Sequence, residues 1–165
     1  MSFVVYVPTA QEKAVRDWVA SALAIECIFE GDRGPRPAKP YGSVSVLSET
    51  ENGHPDETTT DEVLGAGFKH VVTSRNEGTA SVVIHGPGSV DRARALRFSL
   101  LDQAVKDAND DNGLVVAYRI ADTTRALQML DTAYEERAGG DYLFRYTDTA
   151  ESEVQAVETV AITEA

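Results

Sequence analysis

The amino-acid sequence predicts an α+β domain in which two main helices pack against a mostly antiparallel mixed sheet. Two segments carry apolar residues at helical spacing, and short runs rich in β-branched and aromatic residues follow each of them. The order helix, strands, helix, strands is typical of α+β domains. Because 165 residues leave no room for a second full domain, we expect residues 1–165 to form a single domain.

The first helix has the clearest local signal. Thr9 and Glu12 have the spacing of a capping box, in which each side chain bonds the other residue's backbone N–H. The apolar residues that follow recur at helical spacing and predict one buried face; they are Val15, Trp18, Val19, Ala22 and Leu23.

A segment rich in proline and glycine follows over residues 31–41, hereafter the Pro-rich arm. Pro35, Pro37 and Pro40 exclude a helix or a central strand, because proline fixes φ and lacks an N–H donor. They also restrict the free arm, which therefore loses less entropy on docking than a flexible arm. The next segment, from Tyr41 to Glu49, alternates valine with serine and predicts a strand with one wet face.

The stretch over residues 49–62 contains six acidic residues and no lysine or arginine. It predicts an exposed acidic loop or hairpin tip without a bound ligand. After it, Phe68 to Ser74 and Thr79 to His85 predict two strands of an antiparallel hairpin, linked by residues 75–78. Ser89 is expected to cap the second and longest helix, which runs to about Ala108.

The C-terminal third predicts further strands. Leu114 to Ala121 and Tyr142 to Tyr146 have strand character, whereas Thr124 to Leu130 is expected to be a short helical or irregular connection. The acidic end of the chain predicts a last strand from Val154 to Ile162.

Composition excludes several classes of protein. A net charge of -12 and a pI near 4.6 oppose binding to the phosphate backbone of DNA. No apolar stretch is long enough to span a membrane and the N-terminal residues lack a signal-peptide pattern, so we expect a cytoplasm-like compartment. Cys27 is the only cysteine, which rules out an internal disulfide and a cysteine-based metal cluster within one chain.

No set of residues predicts catalysis, a cofactor or a metal site. The turn Gly86-Pro87-Gly88-Ser89 lies between a strand and a helix like a phosphate-binding turn, but it lacks the lysine of a P-loop. Residues 107–113 begin like a calcium loop, but the required glycine and glutamate are misplaced, and Gly113 is expected to end a helix. His70 and His85 lack a third zinc ligand. We therefore expect no enzyme.

Two groups of charged residues suggest interfaces instead. Arg92, Arg94 and Arg97 lie in the first half of the second helix, where the helix dipole disfavours cations. They are either exposed arginines that are solvated or paired with Asp91 and its neighbours, or they contact the acidic loop or tail of the next copy. Glu135-Glu136-Arg137 is expected to form salt bridges or interface contacts, because adjacent side chains of a strand point to opposite faces.

Two segments resemble the phage neck and tail terminator family. The residues Arg33-Gly34-Pro35-Arg36-Pro37-Ala38-Lys39-Pro40-Tyr41 resemble the RP-x-x-PY motif that precedes a strand in this family. The residues Thr132-Ala133-Tyr134-Glu135-Glu136-Arg137-Ala138 resemble its C-terminal aromatic-Glu-x-Arg-Ala segment. The resemblance covers residues 9–162, with Gly139-Gly140 and the acidic loop as departures.

The resemblance implies a tail-terminator-like fold and a structural virion protein at the tail–neck junction, assembled in the host cytoplasm. It implies a homo-oligomeric ring, usually of six copies, that stops growth of the tail tube and offers a surface for head docking. The implied partners are the tail tube protein and a head-completion or neck protein, and DNA passes through without specific binding. Another neck, head–tail connector or tail completion role remains open. So does a non-viral adaptor that uses Pro37-Ala38-Lys39-Pro40 as a polyproline ligand, or an enzyme with an unrecognised site.

In a ring, one patch of each subunit meets a different patch of its neighbour. The candidate intersubunit or docking contacts are Arg33, Arg36, Pro37, Pro40, Tyr41, Arg92, Arg94, Arg97, Tyr134, Glu135 and Arg137. Acidic residues that border the channel would repel passing DNA, and the candidates are Glu49, Glu51, Asp56, Glu57, Asp61 and Glu62, together with the acidic C-terminal segment.

Overall fold

A computed structural model of the chain describes residues 8–32, 34–51, 53–63, 67–111, 113–119, 124–130 and 133–155. The expected strand from Val154 to Ile162 lies almost wholly outside these residues. The described elements are, in chain order, α1 (Ala10–Leu23), β1 (Glu26–Phe29), β2 (Tyr41–Glu51), β3 (Asp56–Val63), β4 (Gly67–His85), α2 (Ser89–Ser99), α3 (Gln103–Asp111), β5 (Leu114–Arg119), β6 (Thr124–Leu130) and β7 (Ala133–Gln155).

These strands form one mixed sheet, which confirms the predicted α+β class. The strand order is β1-β2-β4-β7-β5, while β3 pairs with β4 and β6 pairs with β7. Strands β1 and β2 are parallel, whereas β3 with β4, β5 with β7 and β6 with β7 are antiparallel. The chain divides into two compact units. One contains residues 1–50 and 77–146 and the other contains residues 51–76 and 147–165.

Helix α1 begins as the sequence predicts. The Thr9 side chain accepts a hydrogen bond from the Glu12 N–H at 3.2 Å, and the Glu12 carboxylate accepts one from the Thr9 N–H at 2.7 Å. Its apolar face enters the main core, which includes Val15, Trp18 and Val19. The Trp18 and Tyr142 rings pack in a T-shaped arrangement at a centroid distance of 5.2 Å.

One face of the sheet in the first unit carries this core. Val44 of β2, Val82 of β4 and Phe144 of β7 have no exposed surface, and they pack with residues of α1 and α2. A smaller cluster joins Ile84 to Ala93 of α2 and Ala138 of β7. Because side chains alternate along a strand, the residues next to these apolar ones point to the other face of the sheet.

The predicted hairpin at residues 75–78 is wrong, because β4 is one continuous strand. The turn prediction rested on the link Arg75-Asn76-Glu77-Gly78, but Gly78 does not take the positive φ seen at Gly53 and Gly86. A Cβ at Gly78 would collide with the ring of Phe144. This glycine therefore makes room for an aromatic ring on the sheet instead of forming a turn.

The predicted second helix is divided into α2 and α3, so α1 is the longest of the described helices. At the break, the hydroxyl of Ser99 donates a hydrogen bond to the Leu96 carbonyl at 2.7 Å. Asp102 then accepts one from the Ala104 N–H at 3.0 Å, as an N-cap does. The expected cap at Ser89 is also wrong, because Gly88 is the N-cap of α2 and Ser89 is buried.

Two expected loops contain strands. Residues 56–62 of the acidic loop belong to β3, whose Asp56 lies opposite Thr73 of β4. Residues 124–130, expected to be helical or irregular, form β6 against the start of β7. In both places the hydrogen bonds come from a partner strand, which local composition does not reveal.

We expect Gly78→Ala to destabilise the fold by about 1–3 kcal/mol, the usual cost of overpacking a tight core. The added methyl group must displace the Phe144 ring in the centre of the sheet. Denaturant unfolding, read from the midpoint at constant m-value, measures the effect.

Gly31→Ala is the matched control, since a Cβ at Gly31 has no atom within 4 Å and should change stability by no more than about 0.5 kcal/mol. Equal stability of the two variants would contradict the packing role of Gly78.

Candidate functional site

The Pro-rich arm and the start of β7 meet at a buried carboxylate. The Nζ of Lys39 lies 2.6 Å from Glu135 Oε1, and the Nη2 and Nε of Arg137 lie 2.8 and 2.9 Å from Glu135 Oε2. The Glu135 side chain is 2 % exposed, whereas those of Lys39 and Arg137 are 44 % and 21 % exposed. Each cation therefore keeps contact with solvent while it neutralises a carboxylate that has none.

Strand alternation sets this cluster on the sheet face away from the apolar core. Ser43 precedes the core residue Val44, and His85 follows Ile84, which packs beside α2. In β7, residues 133–139 pair regularly with β6, so their side chains alternate between the two faces of the sheet. Glu135 therefore points away from the face that carries Ala138. The two sheet faces are thus chemically different, one apolar and covered by helices and one polar.

His85 extends the cluster between β2 and β4. Its ring stacks on Tyr41 at a centroid distance of 4.5 Å and an interplanar angle of 8°. Its Nε2 lies 3.0 Å from the hydroxyl of Ser43, and its Nδ1 lies 3.7 Å from Glu135 Oε2. Tyr41 ends the Pro-rich arm, so the stack fixes the point at which the arm becomes a strand.

The pKa values follow from these surroundings. Burial by itself raises the pKa of the Glu135 carboxyl, but hydrogen bonds from Lys39 and Arg137 outweigh burial and lower its pKa to about 2. Burial and the nearby Arg137 charge lower the pKa of His85, although Glu135 acts in the opposite direction. At neutral pH the cluster therefore contains an ionised Glu135 and an uncharged His85.

Ser43, His85 and Glu135 have the order of a hydrolytic serine triad, but their geometry serves packing. Ser43 is only 8 % exposed, and its hydroxyl lies 3.4 Å from the Val83 carbonyl. Glu135 already accepts from two cations, and the 3.7 Å separation from His85 Nδ1 is too long for the hydrogen bond that orients a catalytic base. The three residues form a structural polar core.

The turn that resembles a phosphate-binding loop is occupied by a side chain of the protein. Gly86 N–H donates to the backbone carbonyl of Glu136 at 2.9 Å, and Gly88 N–H donates to its carboxylate at 3.1 Å. Glu136 thus supplies the negative charge that a helix N-terminus favours. Adjacent residues of β7 therefore hold the Pro-rich arm, through Glu135, and the start of α2, through Glu136.

The family can now be assigned. A sequence model described as phage neck terminator protein matches residues 10–165. The chain belongs to the phage neck terminator family. No curated protein matches the sequence. Because the family consists of structural proteins of the phage neck, this neck terminator is a structural protein of the virion.

The two segments that carry the resemblance are far apart in sequence but adjacent in this neck terminator. Lys39 belongs to the first segment and Glu135 to the second, and their side chains form the 2.6 Å ion pair. Sequence reasoning named Glu135, Arg137 and Tyr41 as contact candidates but missed Lys39 and His85. The sequence did contain one signal for Lys39, because it is the single lysine in an arm whose other basic residues are arginines.

The other candidate contacts lie in several places. Arg33 is outside the described residues, Arg36 is exposed, and Pro37 and Pro40 are half-buried. The arginines of α2 differ in their contacts: Arg92 donates to the Pro87 carbonyl at 2.7 Å, Arg94 pairs with Asp91 at 3.3 Å, and Arg97 lies over the Phe98 ring. Tyr41 and Glu135 are buried in the subunit, whereas Tyr134 is 73 % exposed.

The candidate channel acids lie on β2 and β3. Glu49 and Glu51 are exposed. Asp56 pairs with Arg75 at 3.3 Å, and Glu51 accepts a hydrogen bond from Ser74 at 2.9 Å. The backbones of Glu57, Asp61 and Glu62 belong to β3, but their side chains are outside the description.

Neither a metal cluster nor a membrane helix is found in the described part of the chain. Within it, no three histidine, cysteine or acidic side chains are close enough to share a metal ion. None of its helices is long and apolar enough to cross a bilayer.

We expect Glu135→Gln to destabilise the protein by about 3 kcal/mol at pH 7, because it breaks a buried ion pair and leaves two cations without their anion. The pKa of Glu135 is lower in the folded state than its ordinary value of 4.5. Its stabilisation is therefore complete above about pH 4.5 and is lost as the pH falls toward 2. Denaturant unfolding from pH 7 to pH 3 should show a smaller loss in the variant than in the wild type.

Asp56→Asn is the control, because it removes an ion pair whose two side chains are mostly exposed; it should change stability by less than about 1 kcal/mol. Parallel pH curves for Glu135→Gln and the wild type would show that Glu135 is not the titrating group.

Proposed function

We propose that this neck terminator forms a ring, of six copies by resemblance to its family, at the head-proximal end of the tail. The ring stops growth of the tail tube and provides the surface to which the head docks. The observation that carries the proposal is the Lys39–Glu135 ion pair. It anchors one end of the Pro-rich arm to the sheet and leaves Pro35 and Arg36 exposed beside that anchor.

An anchored arm suits a ring contact. A ring needs two different surface patches that meet between neighbours. The Tyr41 stack and the Lys39 ion pair hold the arm at its C-terminal end, and its prolines restrict the backbone before that end. The entropy cost of ordering the arm is then met mostly during folding, so that it does not weaken subunit association.

The acidic residues of β2 and β3 suit the wall of a DNA channel. Their charges would repel the phosphates of DNA as it passes and so prevent tight binding. Glu49, which has no ion pair among the described residues, and the acids of β3 are our candidates for this border. A reconstruction of the ring in the virion tests this, since acids confined to its outer rim would contradict a channel role.

The partners follow from the position of the ring. One surface contacts the last layer of the tail tube protein and the opposite surface contacts a head-completion or neck protein. The subunit is made in the host cytoplasm and enters the virion during tail assembly. No catalytic step is needed, because ring closure and capping are association reactions.

Disruption of the gene in the parent virus tests the function. We expect overlong or headless tails beside DNA-filled heads, because nothing stops tube growth or offers a docking surface. Negative-stain microscopy of lysates with the intact and the disrupted gene gives tail length and head attachment. Virions of normal length with attached heads would reject the proposal, and a plasmid copy of the gene should restore normal tails.

The arm is tested by replacing Pro35 and Pro37 together with glycine. We expect the free energy of unfolding to fall by about 1–2 kcal/mol, and ring assembly to fall at least about tenfold, because the freed arm must be ordered in the interface. Sedimentation velocity measures assembly and denaturant titration measures folding.

The control is Pro55→Gly, which makes the same change at a proline outside the arm. If the Pro35 and Pro37 variant loses assembly only in proportion to its loss of stability, the arm is not a contact element.

A further inference from the structure

A groove lies between α1 and α3. Its volume is about 320 Å³, and its walls are mostly apolar, with polar residues at the sides. The lining residues include Trp18, Ala22, Ala104 and Val105, with Asp17 and Asn109 among the polar ones. A groove of this size and character is suited to one large side chain that carries a polar tip.

Tyr134 is such a side chain. It is 73 % exposed, the second-highest exposure among the large apolar and aromatic side chains of the described residues. It shares a face of β7 with Glu136 and Ala138, so it lies on the side of the sheet where α2 begins. A tyrosine in this exposed position has a large apolar surface without a partner, which is typical of residues that dominate interfaces.

Tyr134 cannot fill the groove of its own subunit. The Trp18 ring contacts Tyr142 at 5.2 Å, which fixes one wall of the groove beside that part of β7. Tyr134 precedes Tyr142 by eight residues in the same strand, a separation of roughly 25 Å at about 3.3 Å per residue. Tyr134 and the groove therefore lie on different surface patches of the subunit, as the contact between neighbours in a ring requires.

The charges around the two patches are complementary. Asp17 lines the groove and pairs with Arg16 at 2.6 Å. The helix α3, which forms the other wall, carries Asp107, Asp110 and Asp111 against a single lysine, Lys106. On the side of Tyr134, the guanidinium of Arg92 lies beside Gly88, to which Glu136 is hydrogen-bonded. The guanidinium of Arg92 has no acidic partner among the described residues, and it donates a hydrogen bond to the Pro87 carbonyl at 2.7 Å.

We propose that Tyr134 of one subunit inserts into the α1–α3 groove of the next, with Arg92 facing the acidic residues of α3. This inference rests on the proposed ring and identifies one of its repeated contacts. The exposed Phe98 and Leu101 at the α2–α3 link offer a different occupant. They lie next to the groove in sequence, however, so their insertion would join two subunits about a two-fold axis and stop at a dimer.

Photo-crosslinking in assembled tails tests the contact. Tyr134 is replaced by p-benzoylphenylalanine, which keeps an aromatic ring at this position, in virus particles that carry the full chain. After irradiation we expect a ladder of covalent oligomers beyond the dimer, with crosslinked peptides from α1 or α3. The matched control replaces Leu47, which is 58 % exposed on β2, and should give no crosslink to those peptides.

Two substitutions check the same contact without the crosslinker. Tyr134→Ala should weaken self-association at least tenfold, whereas Tyr134→Phe should retain most of it. Ser21→Trp, at an exposed position of the groove, should fill the groove and abolish the crosslink without unfolding the subunit.

The outcomes separate the two proposals. Tails that contain the chain but give only dimers, or crosslinks to other peptides, would overturn the Tyr134 contact and leave the neck ring intact. Tails of normal length that lack the chain would overturn the ring and the contact together.

Discussion

The carboxylate of Glu135 is the constraint on which the polar half of this structure depends. An ionised carboxyl group without solvent contact costs several kcal/mol unless cations and hydrogen bonds replace its water. Here Lys39 and Arg137 provide both. The arm that precedes β2 must therefore lie against β7, and β4 between them must present a residue that tolerates the site, which is the uncharged His85.

The two sheet faces of the first unit therefore contribute to the structure in different ways. The helix-covered face obtains its stability from apolar packing, and Gly78 leaves room there for the tip of the Phe144 ring. Two adjacent residues of β7 fix neighbouring elements from opposite faces. Glu135, on the polar face, holds the arm, and Glu136, on the helix-covered face, holds the start of α2. The ring that we propose would depend on such fixed surfaces for its contacts.

Local signals in the sequence predicted part of this fold. The capping box of α1 and the mixed α+β class were predictable, because they depend on neighbouring residues and on simple periodicity. The continuous β4 and the strand β6 were not predictable, because they depend on residues distant in sequence. Gly78 makes room for the Phe144 ring, and β6 forms by pairing with β7. In the site, family resemblance pointed to Tyr41 and Glu135 as surface contacts. Their burial and their link through Lys39 and His85 depend on strand register, which no local pattern encodes.

A double-mutant cycle on Lys39 and Glu135 tests the central claim most directly. The unfolding free energies of the wild type, Lys39→Met, Glu135→Gln and the double variant give the coupling between the arm and β7 without the other contacts of either residue. We predict a coupling of at least about 1 kcal/mol, in the range measured for residues in one ion-pair network. A coupling of zero would contradict the account, because the arm would then be held by its neighbours in sequence and not by Glu135.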